Sequence, residues 1–271
     1  MASFLPILHQ EYAQFQTRFG AQLLGVIEIG SFAHGEAVSF SDHDLRLIIH
    51  SSEPLLVFNE HTWTDGVSDA TTTIAWQDLN QSQELSFGLT NLAFVEHGLE
   101  ANRYPLIDHT CLYQGHILID DTGKIAAFRA RYHGVQFPNI VPDYLRQVEW
   151  RVTSRLSSEL STLTERLDHR KCVVPPVHTC CRIVRDLANI TSYHAHGVYV
   201  SDSRTLADYY REHWPWFEAT LQTLRAYKTD EGVRRAVFND IVHHNPERLR
   251  QIHLCAEATV KLWEQFQAQY R

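Results

Sequence analysis

No apolar run in the 271 residues approaches the roughly 20 needed to span a bilayer, so a membrane-embedded chain is not expected. The N-terminal MASFLPILHQEYAQF lacks a basic region ahead of its short apolar stretch, and no cleaved leader is expected from it. Cysteine is scarce and badly placed for structural use. There are five, an odd number, none in a CxxC spacing, and Cys180 and Cys181 are adjacent. That excludes a zinc ribbon and argues for reduced thiols in a cytoplasmic protein. Serine-hydrolase and P-loop signatures, internal repeats and low-complexity segments are also missing. Basic residues are few where the acids are many: residues 1–139 hold 16 Asp and Glu against 6 Lys and Arg, while residues 140–271 hold 16 against 18. An acidic half suits a bound metal and disfavours a nucleic-acid backbone, which needs clustered cations.

What is present is an ordinary globular balance, 44% hydrophobic and 21% charged, in a length that suits about two domains. The first half alternates short strand-like runs with helical stretches. Residues 4–19 have apolar residues at helical spacing, with Gly20 as a stop. Leu23–Ile29, Leu45–Ile49, Thr71–Trp76, Glu84–Leu89 and Cys111–Ile119 read as strands, and Asn91–Asn102 as a helix. This order predicts an α/β or α+β domain. The second half reads as helix almost throughout. Leu145, Val148, Val152, Leu156, Leu160, Leu163 and Leu167 make one helix face, Pro175-Pro176 opens a helix ending near Tyr193, and Asn245-Pro246 caps a last one. Gly and Pro near residues 134–142 interrupt both patterns, which places a boundary between domains 1–139 and 140–271.

The chemistry concentrates between Gly30 and Leu45. Gly30-Ser31 follows an apolar strand, and a Gly-Ser pair permits close approach of a phosphate oxygen to a hydroxyl and to backbone N–H groups. Asp42 and Asp44 flank His43 at the start of the next strand. Side chains at i and i+2 share a face, so the two carboxylates can converge while His43 points away. Paired carboxylates suit Mg²⁺, which is commonly held by one or two of them plus substrate phosphates. The combination looks like a site for a metal-bound nucleoside triphosphate.

Gly30-Ser31, Asp42 and Asp44, with Ser41 before the first aspartate, Leu45 after the second, and Gly35, resemble the signature of the nucleotidyltransferase superfamily that includes DNA polymerase β and the small antibiotic adenylyltransferases. His34 stands where that family often has Arg or Lys. The resemblance covers residues from about 20 to 130 and implies an α+β head with a mixed sheet, followed by a helical substrate-binding bundle like those of aminoglycoside and lincosamide adenylyltransferases. It further implies transfer of a nucleoside monophosphate, AMP from ATP, to a hydroxyl of a small molecule such as an antibiotic. The cofactor would be Mg²⁺, and Asp42, Asp44 and a third acid would hold it. Glu84, which opens a strand followed by a helix, is favoured as that third acid over its rival Asp78. A non-catalytic nucleotide-binding module, or a toxin-like transferase acting on a protein or tRNA, is the alternative. Asp120 and Asp121 read as turn formers.

A triphosphate also needs cations. Arg46 lies two residues beyond Asp44 on the same strand face, and Arg182 and Arg185, three apart on one helix, are expected to project together. His194 and His196 read as a loop pair, and Trp214 and Trp216 as packing residues.

Overall fold

The computed structural model describes residues 4–39, 41–52, 55–58, 61–64, 72–78, 81–100, 106–169, 171–200 and 202–270. For 55–58, 61–64, 72–78, 81–84, 100, 106–109 and 270 the description is of the backbone alone. The chain forms two compact units: Met1–Gly35 with Phe40–Ile140, and Glu36–Ser39 with Val141–Arg271.

In the first unit α1 (Leu5–Phe19) buries Leu8, Tyr12, Phe15 and Phe19, spaced by fours and threes along one stripe. Then come β1 (Leu23–Ile29), the single turn α2 (Gly30–Ala33), β2 (His43–Ile49), a ribbon of β3 (Leu55–Phe58) and β4 (His61–Thr64), and a hairpin of β5 (Thr72–Asp78) and β6 (Gln81–Asn91). α3 (Leu92–Glu100), α4 (Leu106–Gln114), β7 (His116–Asp120) and α5 (Lys124–Tyr132) complete it. The main sheet has the order β5-β6-β2-β1-β7. β2 and β6 are parallel, and the other neighbours antiparallel, so the sheet is mixed.

Each sheet face has its own core. On one, Leu45, Leu47, Ile49, Leu85 and Phe87 pack with the buried stripe of α1. On the other, Ile27 and Ile48 join Leu92, Val95, Leu112, Ile125 and Phe128 from the later helices. Alternation along β2 therefore sends its odd-numbered residues toward α1 and its even-numbered ones toward the opposite face. Asp121 ties α1 to this sheet, accepting from Tyr12 Oη at 2.8 Å and from Gln16 Nε2 at 3.0 Å. Asp120 accepts from the Ala126 N–H at 2.9 Å in the first turn of α5. Both aspartates thus act structurally.

The second unit is helical. α6 (Ile140–Trp150) runs through a π-helical stretch, Arg151–Leu156, into α7 (Ser157–Ser161), and is followed by α8 (Pro175–His196), α9 (Ser203–His213), α10 (Glu218–Thr229), α11 (Glu231–Val242) and α12 (Pro246–Tyr270). α8 is its axis: Val177, Cys180, Ile183, Val184, Leu187, Ile190 and Tyr193 are all buried, and α12 packs along it. Together the two units make an α+β protein. Among the described residues no helix is long and apolar enough to cross a membrane.

Three sequence readings are corrected. The run Cys111–Ile119 is not one strand, because Cys111–Gln114 closes α4 and the strand begins at His116. A short apolar run fits a buried helix turn as well as a strand, and here Leu112 is wholly buried among helices. The helix expected to reach Leu167 stops at Ser161, and Leu163 is buried from outside it. α8 extends to His196, so His194 and His196 are helical. Residues two apart on a helix, as these are, point roughly 200° apart and do not converge on one ion. Of the tryptophans, Trp214 is buried, whereas Trp216 is exposed with the Lys261 ammonium 5.2 Å from its ring centre. Thr71 lies outside the described residues.

Asn245 caps α12 as its position before Pro246 predicts, its Oδ1 accepting from the N–H groups of Glu247 (3.1 Å) and Arg248 (3.2 Å). Asn245→Ala is expected to cost about 1 kcal/mol, measured by chemical denaturation, while Asn245→Asp stays near wild type.

Candidate active site

The site is built where β1 ends against β2. The antiparallel register sets Ile29 opposite Asp44, so the next residue, Gly30, begins its turn beside that carboxylate. Gly30 has φ 73°, a left-handed conformation, and a Cβ placed on it would run into the Asp44 carboxylate oxygen. The missing side chain is what lets Asp44 lie against the backbone of the Gly30-Ser31 turn. That turn is closed by the His34 N–H donating to the Gly30 carbonyl and the Gly35 N–H to the Phe32 carbonyl, each at 3.2 Å. Ser31 is half-buried.

Along β2 the burial alternates as the pattern predicts. His43, Leu45 and Leu47 are buried, and Asp42, Asp44 and Arg46 are half-buried. Asp44 and Arg46 therefore share the face opposite α1, and Asp42, the residue before β2, continues the alternation of burial. The Arg46 guanidinium crosses to β6, where Nη1 donates to the Leu89 carbonyl at 3.4 Å. It occupies the space above Gly88, its register partner, where any Cβ would meet it.

The parallel register between β2 and β6 bears on the third acid. His43 pairs with Leu85 and Asp44 with Ser86, so Glu84 stands one position before the partner of His43. Asp78 pairs with Gln81 at the turn of the β5–β6 hairpin, further from the motif. Both acids are described by strand position alone, and by that measure Glu84 stands nearer the two aspartates than Asp78 does.

On the other face of β2, His43 is held on three sides. Its Nδ1 lies 2.6 Å from Glu28 Oε1. Its ring stacks on Phe4 at 3.9 Å and on Phe32 at 3.7 Å between centroids. The sequence places His43 away from the carboxylates, but it does not reveal these partners. The available signal was Glu28 itself, an acid inside the apolar run Leu23–Ile29.

Arg182 and Arg185 belong to the second unit, and they do not project together. Arg182 is exposed, whereas Arg185 is buried and its guanidinium is committed to Glu36. Lys228 pairs with the other oxygen of Glu36, and Ser203 Oγ donates to Glu36 at 2.8 Å. Burial alone would raise the Glu36 pKa; the Lys228 and Arg185 charges outweigh it and hold the carboxyl down at about 2. The Arg185 charge is thus compensated by Glu36. Composition could not show this, because the partner lies 149 residues away. Glu36 was missed by the sequence reading, and its only signal was an acid beside Gly35 in the loop between the two halves of the motif. That loop segment, Glu36–Ser39, groups with the second unit.

Among the described residues no cluster of three or more His, Cys, Asp or Glu side chains could hold a metal ion. The candidate donors are two carboxylates, Asp44 on β2 beside a backbone kept clear by Gly30 and Asp42 just before the strand. Oxygen-only donors in that small number fit Mg²⁺, which retains waters and takes phosphate oxygens as further ligands. They do not fit zinc, which favours nitrogen and sulfur.

A crystal structure of a nucleotidyltransferase-like protein from Exiguobacterium sibiricum 255-15 is similar over 95% of this chain and 73% of that one, at 12% identity and a TM-score of 0.30. At that identity and TM-score the likeness carries no argument about function. No family model matches the chain, and no curated protein matches it.

Proposed function

We propose that the chain is a Mg²⁺-dependent nucleotidyltransferase that moves AMP from ATP to a hydroxyl of a small molecule. The observation that carries this reading is the seat of the Asp44 carboxylate against Gly30, on the sheet face it shares with Arg46, with Asp42 just before the strand. A carboxylate seated against a turn that is clear of a side chain at Gly30 suits a cation that must also touch phosphate oxygens.

Asp42 and Asp44 would hold the metal, with Glu84 as the third acid. A bound Mg²⁺ supplies charge stabilisation to the attacking and leaving oxygens of an in-line displacement. The Ser31 hydroxyl donates to a phosphate oxygen, and Arg46 offsets negative charge on the same face. Glu84 is the residue best placed in sequence to accept the acceptor's proton. The acceptor oxygen bonds to the α-phosphorus, the bond from that phosphorus to the bridging oxygen of pyrophosphate breaks, and pyrophosphate leaves. A small acceptor is favoured because the first 139 residues, with 16 acids against 6 bases, would repel a polyanion.

Asp42→Asn and Asp44→Asn are each expected to lower ATP-dependent pyrophosphate release, assayed over a panel of hydroxyl acceptors, on the order of 10³-fold. Melting midpoints should stay near wild type. Activity persisting in the purified double variant overturns the proposal. Wild-type protein that binds Mg·ATP by calorimetry but never releases pyrophosphate would instead be a binding module. Labelled ATP in cell lysate tests for a protein or tRNA acceptor.

A further inference from the structure

We propose that His43 is a positioning residue, whose clamped ring sets where Asp42 and Asp44 stand relative to the Gly30-Ser31 turn. This rests on the functional reading above and names how that site is held in register.

The clamp joins three separate pieces of the site. Glu28 is on β1, one residue before the Ile29 that faces Asp44. Phe32 follows Ser31 in the turn, and Phe4 precedes α1. The two stacking planes lie within 24° and 18° of the His43 ring, so the imidazole is sandwiched nearly flat between two phenyl rings. Its Nδ1 is then fixed in the ring plane by the buried Glu28 carboxylate. The ring is thus in contact on both faces and at one edge.

Neighbouring strand residues point to opposite faces, so what fixes His43 on the α1 side fixes Asp42 and Asp44 on the other. The choice of residue is informative as well. An aliphatic side chain would fill this space, and a buried carboxylate is costly unless it is paired. Glu28 gives the imidazole edge its polar partner and is itself compensated by it, which allows the ring to be buried in the stack between Phe4 and Phe32, and it is the stacked ring that spans the turn and β2. Phe32 extends the same constraint to the turn. A displacement of about 1 Å between the turn and the carboxylates is enough to cost roughly 100-fold in rate.

The test compares His43→Ala with the double variant Glu28→Gln/His43→Phe, which keeps a ring between Phe4 and Phe32 and removes the charge that would otherwise be stranded. Binding of Mn²⁺ with ATP is followed by the electron paramagnetic resonance of free Mn²⁺, alongside pyrophosphate release and thermal melting, all well below each melting midpoint. His43→Ala is expected to weaken Mn²⁺ binding about tenfold or more and to lower kcat roughly 100-fold, with the acceptor KM within threefold. The double variant should recover both within about threefold. Folded His43→Ala with wild-type Mn²⁺ affinity and kcat overturns the inference. So does a double variant that regains the wild-type melting midpoint but not the turnover, and this outcome decides the matter even if His43→Ala fails to fold. Wild-type protein that neither binds Mn²⁺ with ATP nor releases pyrophosphate overturns the functional reading and this inference with it.

Discussion

Gly30→Ala is expected to abolish metal-dependent turnover, whereas Gly35→Ala leaves it nearly intact. Both glycines have positive φ, 73° and 65°, so each substitution carries the left-handed penalty of about 1–2 kcal/mol for an L-residue. They differ in what the new methyl meets. At Gly35 there is nothing within 4 Å, and at Gly30 there is the Asp44 carboxylate. Either that carboxylate swings off the turn or the turn withdraws from it, and both break the arrangement the metal would use. The pair therefore separates backbone strain from damage to the site. Melting midpoints of the two variants should fall by similar amounts, a few degrees each, while Mn²⁺ affinity and pyrophosphate release collapse only in Gly30→Ala. Equal behaviour of the two variants in the Mn²⁺ titration would show that the contact between Gly30 and Asp44 has no functional weight.

Glu36→Gln is expected to destabilise the second unit by about 3 kcal/mol at neutral pH, the low end for breaking a buried ion pair. The carboxylate is almost wholly buried between two cations, Arg185 and Lys228. A neutral amide leaves those positive charges facing one another, and the Nη1 of Arg185 is already buried without a hydrogen-bond partner. Adding Lys228→Gln to the variant should recover part of the loss, because it removes the surplus charge. The effect also has a pH signature. Glu36 in the fold titrates near 2 against an ordinary 4.5, so the folded state favours the ionised form. Its stabilisation is fully present above about pH 4.5 and is lost as pH falls toward 2. In urea denaturation at a series of pH values, the gap between wild type and Glu36→Gln should be constant above pH 5 and close between 4.5 and 2. A gap of the same size at pH 2 and pH 7 would mean that the charge of Glu36 contributes nothing.

Local pattern sufficed for much of this protein. The stripe of α1, the strand Leu23–Ile29, the punctuation by Pro175 and Asn245, and the alternation of Asp42, Asp44 and Arg46 with buried residues follow from periods of 3.6 and 2, which neighbours in the chain enforce. The candidate carboxylates were legible for the same reason, since two acids at i and i+2 on a strand share a face wherever the strand goes. Local pattern failed where one run could satisfy two periods. Cys111–Ile119 is apolar enough for a strand, and only packing against α3 and α5 makes its first part a helix.

Pairing across long separations was decided by the tertiary structure alone. Arg185 reads by helical spacing as a cation that projects with Arg182, yet its guanidinium pairs with Glu36, and His43 reads as a residue that merely points away, yet three side chains from β1, the turn and the N-terminal segment contact it. A sequence fixes which face of its own helix or strand a side chain takes, because that depends on backbone geometry within a few residues. It leaves open which distant face will meet it, because that depends on how the strands register and the helices stack.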